Sequence, residues 1–274
     1  EELAKQWNIR NIDIIENAEH DLKILIADYQ DTVLVTFRHT DSNKNWLYNA
    51  DYGQWGVEDS FSLGEKTHHG LSRVLSAEWD TLLEKVGDRT NGKKLWLFGH
   101  SLGGALAQLS AAGFENEGLH VDQVYLTGAP KVGSQKWVEK ASLLLEGRVH
   151  RLVYEKDLIA HLPVHNEALN DFRSISSIVP SFIANTIGGV RSTMKFDTLG
   201  QQLSLDEQAN VVQWDESDSV SLEKQYWQTL SSDLADAKQS SWNPVTQVNR
   251  MVSVVSGNME NHLLRSEDGY FCAM

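Results

Sequence analysis

The apolar positions of this chain follow two rhythms. Short runs dense in Leu, Val, Ile and Phe predict strands, and longer stretches with apolar residues three and four apart predict helices. Asp21–Ala27 and Thr32–Phe37 are apolar, β-branched runs separated by Tyr29-Gln30-Asp31, which predicts a β-hairpin. The segment 1–16 holds a short apolar stretch and no nameable chemistry. Leu71, Val74, Leu75, Trp79, Leu82, Leu83 and Val86 recur at helical spacing, so one helix over 68–86 is predicted, ended by Gly87 and Gly92. Leu95-Trp96-Leu97-Phe98 predicts a buried strand, and the Ala- and Leu-rich stretch ending near Gly113 predicts a helix. Val121–Leu126 and Val149–Tyr154 predict two more buried strands, with a helix over Lys136–Leu145 between them. Strands alternating with helical crossovers imply a parallel sheet with right-handed connections. Beyond Asp157 the pattern weakens. A helix is predicted over Ser221–Ala237, and Asn243-Pro244 reads as the N-cap and first turn of a last helix to about Val255. No repeat or composition shift divides the chain, so one α/β domain over 1–274 is expected, a central mostly parallel sheet flanked by helices.

The sharpest chemical signal lies where the strand at 95–98 meets the helix after it. Gly99-His100-Ser101-Leu102-Gly103 has the G-x-S-x-G spacing of a nucleophile elbow. Turning at once from strand to helix strains the central residue and thrusts its hydroxyl outward. Side chains two before and two after would collide, so both positions need Gly. The N–H of Leu102 then sits at a helix N-terminus, where it can hold a developing oxyanion. The plainer alternative is a Gly-rich turn around a buried serine. Arg38-His39-Thr40-Asp41-Ser42 follows an early strand, and Thr40 is the candidate second oxyanion donor.

A serine hydroxyl needs a histidine to take its proton, and the histidine needs a carboxylate to fix its tautomer. With this strand-elbow-helix, the expected chain order is Ser, then acid, then His. Asp157 stands three residues past the run 149–154 and is the candidate acid. Of ten histidines, only His161, His165 and His262 follow both the elbow and a further strand. His161 and His165 are too near Asp157 to arrive from a separate loop, and His161-Leu162-Pro163 reads as packing. His262, in a polar stretch after the last helix, is the base left by elimination. His100 reads as support for the elbow. His68 and His69 have no third ligand at a suitable spacing, so no metal site is expected. The acyl-enzyme route needs no metal or organic cofactor.

Asn43–Asp59 carries Trp46, Leu47, Tyr48, Tyr52 and Trp55 among Asn, Asp and Gly. Such density suggests an apolar flap, with a loop packed on the domain as the alternative. Net charge is −14, from 24 basic and 38 acidic residues, which disfavours nucleic acid and anionic surfaces as partners. A single cysteine, Cys272, excludes an intramolecular disulfide and a Cys-based metal site. No apolar run is long enough to span a bilayer, and no signal-peptide pattern is visible.

Five stretches in this order resemble the class 3 lipases, the fungal-type lipase-like family of α/β hydrolases. They are Phe37-Arg38-His39-Thr40-Asp41-Ser42 with Asn45-Trp46, Thr67-His68-His69-Gly70-Leu71, Gly99–Ala105, Thr127–Gly133, and Asp157 with His161-Leu162-Pro163. The resemblance implies a Ser101–Asp157–His262 triad and an oxyanion hole of Thr40 and Leu102. It also implies a lid around 43–51 holding Trp46, with Leu47 and His39 beside the substrate, that opens at a lipid surface. His39 stands where the family usually has Gly. The long spacing from Asp157 to His262 points to an insertion within about 171–221. The implied function is a secreted triacylglycerol lipase or carboxylesterase acting on a lipid or small acyl-ester substrate. A phospholipase A1, a feruloyl or aryl esterase, and a non-catalytic interaction module are the alternatives. Oligomeric state is left open.

Overall fold

A computed structural model of the chain describes residues 6–39, 54–55, 59–164, 168, 175, 196–205, 211–213 and 216–260, with backbone alone at 39, 54–55, 211–213, 216–219 and 259–260. The strands are β1 (Arg10–Asn17), β2 (Leu22–Tyr29), β3 (Thr32–His39), β4 (Gln54–Trp55), β5 (Thr67–His68), β6 (Lys94–His100), β7 (Gln123–Thr127), β8 (Gly133–Ser134), β9 (Val149–Tyr154), β10 (Phe196–Asp197), β11 (Gln201–Leu205) and β12 (Val211–Gln213). The helices are α1 (His69–Ser76), α2 (Trp79–Gly87), α3 (Leu102–Asn116), α4 (Gln135–Leu145), α5 (Glu216–Gln239) and α6 (Pro244–Glu260).

The main sheet has the order β1-β2-β3-β6-β7-β9-β11-β12. Its centre, β3 through β11, is parallel throughout. Antiparallel strands flank it, with β1 and β2 on one side and β12 on the other. This is the mostly parallel, helix-flanked sheet expected. The strands β10-β8-β5-β4 form a small second sheet.

Alternation along the strands sets where the core lies. Ile24, Ile26, Val33, Val35, Leu95, Leu97 and Val124 are fully buried and join one cluster with Leu75, Leu82, Leu106, Trp137 and Leu145 of α1 to α4. The helix α3 is buried along nearly its whole length, because its small residues lie directly on the sheet. A second cluster joins the loop after β9 to α5 and α6, through Leu158, Ile159, Leu162, Trp227, Leu230 and Met251.

The β2–β3 hairpin turns on Gln30-Asp31, with Tyr29 opposite Thr32 and Gln30 at φ +53°. The structure revises one expectation and adds to the sequence reading in two places. The helix foreseen over 68–86 is two helices, broken at Ala77–Glu78. There the Glu78 carboxylate accepts from Asn17 Nδ2 at 2.7 Å, and Trp79 turns in against Phe61 and Phe114. The break keeps the four-residue step from Leu75 to Trp79, so the apolar stripe hides it. Within 1–16, β1 was missed because only Ile15 of its apolar residues is buried, while Ile12 and Ile14 are exposed. Within 171–221, residues 201–205 and 211–213 supply the last two strands of the main sheet.

Candidate active site

The elbow sits at the carboxyl end of β6. Ser101 has φ 57° and ψ −127°, a strained backbone for a residue with a side chain. Its N–H donates to the Thr127 carbonyl at 3.0 Å, and its carbonyl accepts from Ala105 N–H at 3.0 Å, which starts α3. The bend leaves no room around it. A Cβ at Gly99 would fall 2.3 Å from the Gly103 carbonyl carbon, and one at Gly103 would fall 2.0 Å from the Phe37 carbonyl oxygen. The glycines are therefore required by backbone meeting backbone. Leu102 N–H is one of the first amides of α3, which have no acceptor within the helix. His100 Nδ1 bonds the Thr127 carbonyl and hydroxyl at 3.0 and 3.1 Å, the same carbonyl that accepts the Ser101 N–H.

The same close approach brings in the early strand. Phe37 pairs with Gly99 in the parallel ladder, and its carbonyl lies under the first turn of α3. Phe37, near the end of β3, is thus fixed against the elbow, three residues before Thr40.

Asp157 lies just beyond β9, one parallel strand past β7, and is fully buried. Its Oδ1 accepts from the N–H groups of Ile159 at 2.8 Å and Ala160 at 3.4 Å. The loop that carries it is itself clamped. Lys131 Nζ, buried, reaches Glu223 Oε2 at 2.7 Å and donates to the carbonyls of His161 and Pro163, each at 3.0 Å. All three ammonium protons have acceptors, so the buried charge is matched. Burial pushes the Lys131 pKa down, opposed by the Glu223 carboxylate. His161 stacks on Tyr226 with ring centres 4.1 Å apart. Burial above all lowers its pKa to about 4, so at neutral pH it is an uncharged packing residue.

At the far end of the chain, the last turn of α6 meets this loop. Leu158 N–H, next to Asp157, donates to the Asn258 carbonyl at 3.3 Å. Asn258 stands four residues before His262. Thr40, Trp46, Leu47, His165 and His262 lie outside the described residues, as do the 43–53 and 56–58 parts of the expected flap and the His39 side chain. The structure places the Ser101 elbow, the Leu102 amide and the end of β3 beside one another, and the Asp157 loop beyond β9, two strands along the same sheet.

Lys131, Glu223, Tyr226 and Asn258 were not singled out in the sequence. One signal was available: Lys131 is a charge inside the apolar stretch Ala129-Pro130-Lys131-Val132, a setting in which a lysine needs a buried partner.

An elbow serine and an acid past a later parallel strand, both at the carboxyl edge of this sheet, make the fold that of an α/β hydrolase. Residues 34–167 match the family model for lipase (class 3). Over that stretch, a little under half of the chain, the sequence is that of a class 3 lipase. A secreted mono- and diacylglycerol lipase of Malassezia globosa is 27% identical over 106 residues, covering 36% of this chain. That match spans about a third of the relative's own length (34%). A triacylglycerol lipase from Penicillium expansum superposes with a TM-score of 0.60 at 16% identity, covering 80% of this chain and 79% of its own. A triacylglycerol lipase whose catalytic centre is described as a serine protease triad gives 0.55 at 20% identity, covering 74% and 69%. At these identities the superpositions show the shared fold.

Proposed function

We propose that this chain is a serine ester hydrolase that cleaves acyl esters of glycerol, as the named acylglycerol lipases do, and that it acts outside the cell like its Malassezia relative. The observation that carries the proposal is the Ser101 bend, whose backbone strain is held by glycines that admit no side chain. A protein has little reason to keep such strain except to present a reactive group.

In this mechanism Ser101 Oγ attacks the ester carbonyl carbon while His262 takes its proton. The carbonyl π bond opens to an oxyanion, held by the N–H groups of Leu102 and Thr40. The intermediate collapses, the bond to the alcohol breaks, and His262 returns the proton to the leaving oxygen. Water, deprotonated by His262, then attacks the acyl-serine; the acyl–Oγ bond breaks, His262 returns the proton to Ser101 Oγ, and the fatty acid leaves. Asp157 orients His262 and stabilises its charged form. Two features support these roles. The buried Asp157 lies beside the end of α6, which leads toward His262, and the end of β3, which leads to Thr40, is wedged on the elbow. Trp46 and Leu47 would cover the acyl pocket in water and meet lipid when it opens. Replacing Ser101 by Ala should abolish hydrolysis of p-nitrophenyl butyrate and octanoate and abolish fluorophosphonate labelling. Undiminished turnover by the folded variant would refute the assignment.

A further inference from the structure

We infer that Tyr226 is a positioning residue for the triad: through Asn258 it locks the end of α6 onto the loop that carries Asp157. This rests on the roles proposed above for Asp157 and His262.

Two contacts from α5 and one from the acid loop converge here. The Tyr226 ring lies on His161, inside the acid loop, at 4.1 Å and an interplanar angle of 18°. Its hydroxyl donates to Asn258 Oδ1 at 3.2 Å. The Asn258 carbonyl accepts from Leu158 N–H, one residue past Asp157. Asn258 Nδ2 donates back to the Val254 carbonyl at 2.9 Å, which fixes the amide orientation and aims Oδ1 at the tyrosine. Asn258 is therefore gripped on its side chain by α5 and on its backbone by the acid loop.

The consequence is a geometric limit. Four residues of chain reach at most about 14 Å, so for His262 to serve as the base it must be reached from an Asn258 whose place beside Leu158 is fixed. Without the tyrosine hydroxyl, the Asn258 side chain loses its anchor on α5, and the single Leu158–Asn258 backbone bond and apolar packing are left to hold the end of α6 in register. Tyr226 is suited to the task because its proton is secure. Burial, followed by the nearby Asp157 and Asp233 carboxylates, raises its pKa well above 10, so the hydroxyl remains a donor. The ring also packs edge-on against Trp227 at 5.0 Å, so it is held whether or not the hydroxyl is bonded.

That separation makes the test clean. Tyr226→Phe keeps the ring and removes only the hydroxyl. It should lower kcat about tenfold at unchanged KM, since a small misplacement of reacting groups lowers the rate steeply. Asn258→Ala should give the same loss, and the pair together no more than either alone. In the Asp157→Asn background, Tyr226→Phe should cause no further fall, because the geometry it maintains is already without effect. Wild-type kcat in Tyr226→Phe, or losses that add to that of Asp157→Asn, would overturn the inference. Full activity in His262→Ala would instead overturn the triad, whatever Tyr226→Phe does, so the two failures are distinguishable.

Discussion

Gly103→Ala is the most informative single perturbation, because it acts on the elbow without touching a chemical group. The new methyl carbon would stand 2.0 Å from the Phe37 carbonyl oxygen and 2.9 Å from its carbon. Cβ atoms are essentially never found closer than 3.0 Å to a neighbour, so something must move by at least 1 Å. Both sides are backbone, and no side-chain rotation relieves the clash. The first turn of α3 and the end of β3 must separate, which parts the Leu102 amide from the chain leading to Thr40. Overpacking of this kind costs about 1–3 kcal/mol, and a rigid backbone contact belongs at the upper end. At about 2–4 °C per kcal/mol for a chain of this size class, the melting temperature should fall by about 5 °C or more. A 1 Å misplacement at a reacting centre lowers turnover by about 10²-fold, and that is the loss expected in kcat/KM for p-nitrophenyl butyrate. Gly257→Ala is the control. A Cβ there meets nothing within 4 Å, so the same change in α6 should stabilise by about 0.5–1 kcal/mol. A Gly103→Ala enzyme with wild-type melting temperature and turnover would refute the account of the elbow.

Two further predictions concern the clamp on the acid loop. The buried His161 has a pKa of about 4 against 6.5 for the free side chain, so the unfolded chain binds more protons between those values. Its contribution is full above pH 6.5 and is lost as pH falls to 4, about 3 kcal/mol in all. His161→Phe should flatten the fall in urea midpoint over that window, and an unchanged slope would contradict the assignment. Lys131→Met leaves the Glu223 carboxylate buried without its cation and should cost about 3–5 kcal/mol in urea unfolding. Adding Glu223→Leu should restore most of that loss. A double variant no more stable than the single would show that the charges do not compensate each other.

The parts of this protein legible in the sequence are those fixed by local order. The strand run 95–98, the glycines at 99 and 103 and the small residues after them specify the elbow within a dozen positions. Asp157 could be placed because it follows a buried strand that reads plainly. Asn243 could be placed because capping is local: its Oδ1 accepts from Val245 N–H at 2.9 Å. What escaped depends on partners distant in sequence. The half-exposed strand β1 has too few buried positions to show a period. Lys131 meets Glu223 only because α5 folds back over the turn after β7. Tyr226 and Asn258 sit on separate helices, and neither helical pattern reveals that they touch.

The central claim is that a strained Ser101 attacks with an imidazole delivered by the end of α6. A crystal structure of the phosphonate-inhibited enzyme tests it most directly. The account predicts phosphorus bonded to Ser101 Oγ and a phosphonyl oxygen accepting from the N–H groups of Leu102 and Thr40. It also predicts the His262 ring between Oγ and Asp157, within about 3.2 Å of each. Phosphorus on another residue, or a His262 ring turned away from both, would contradict it.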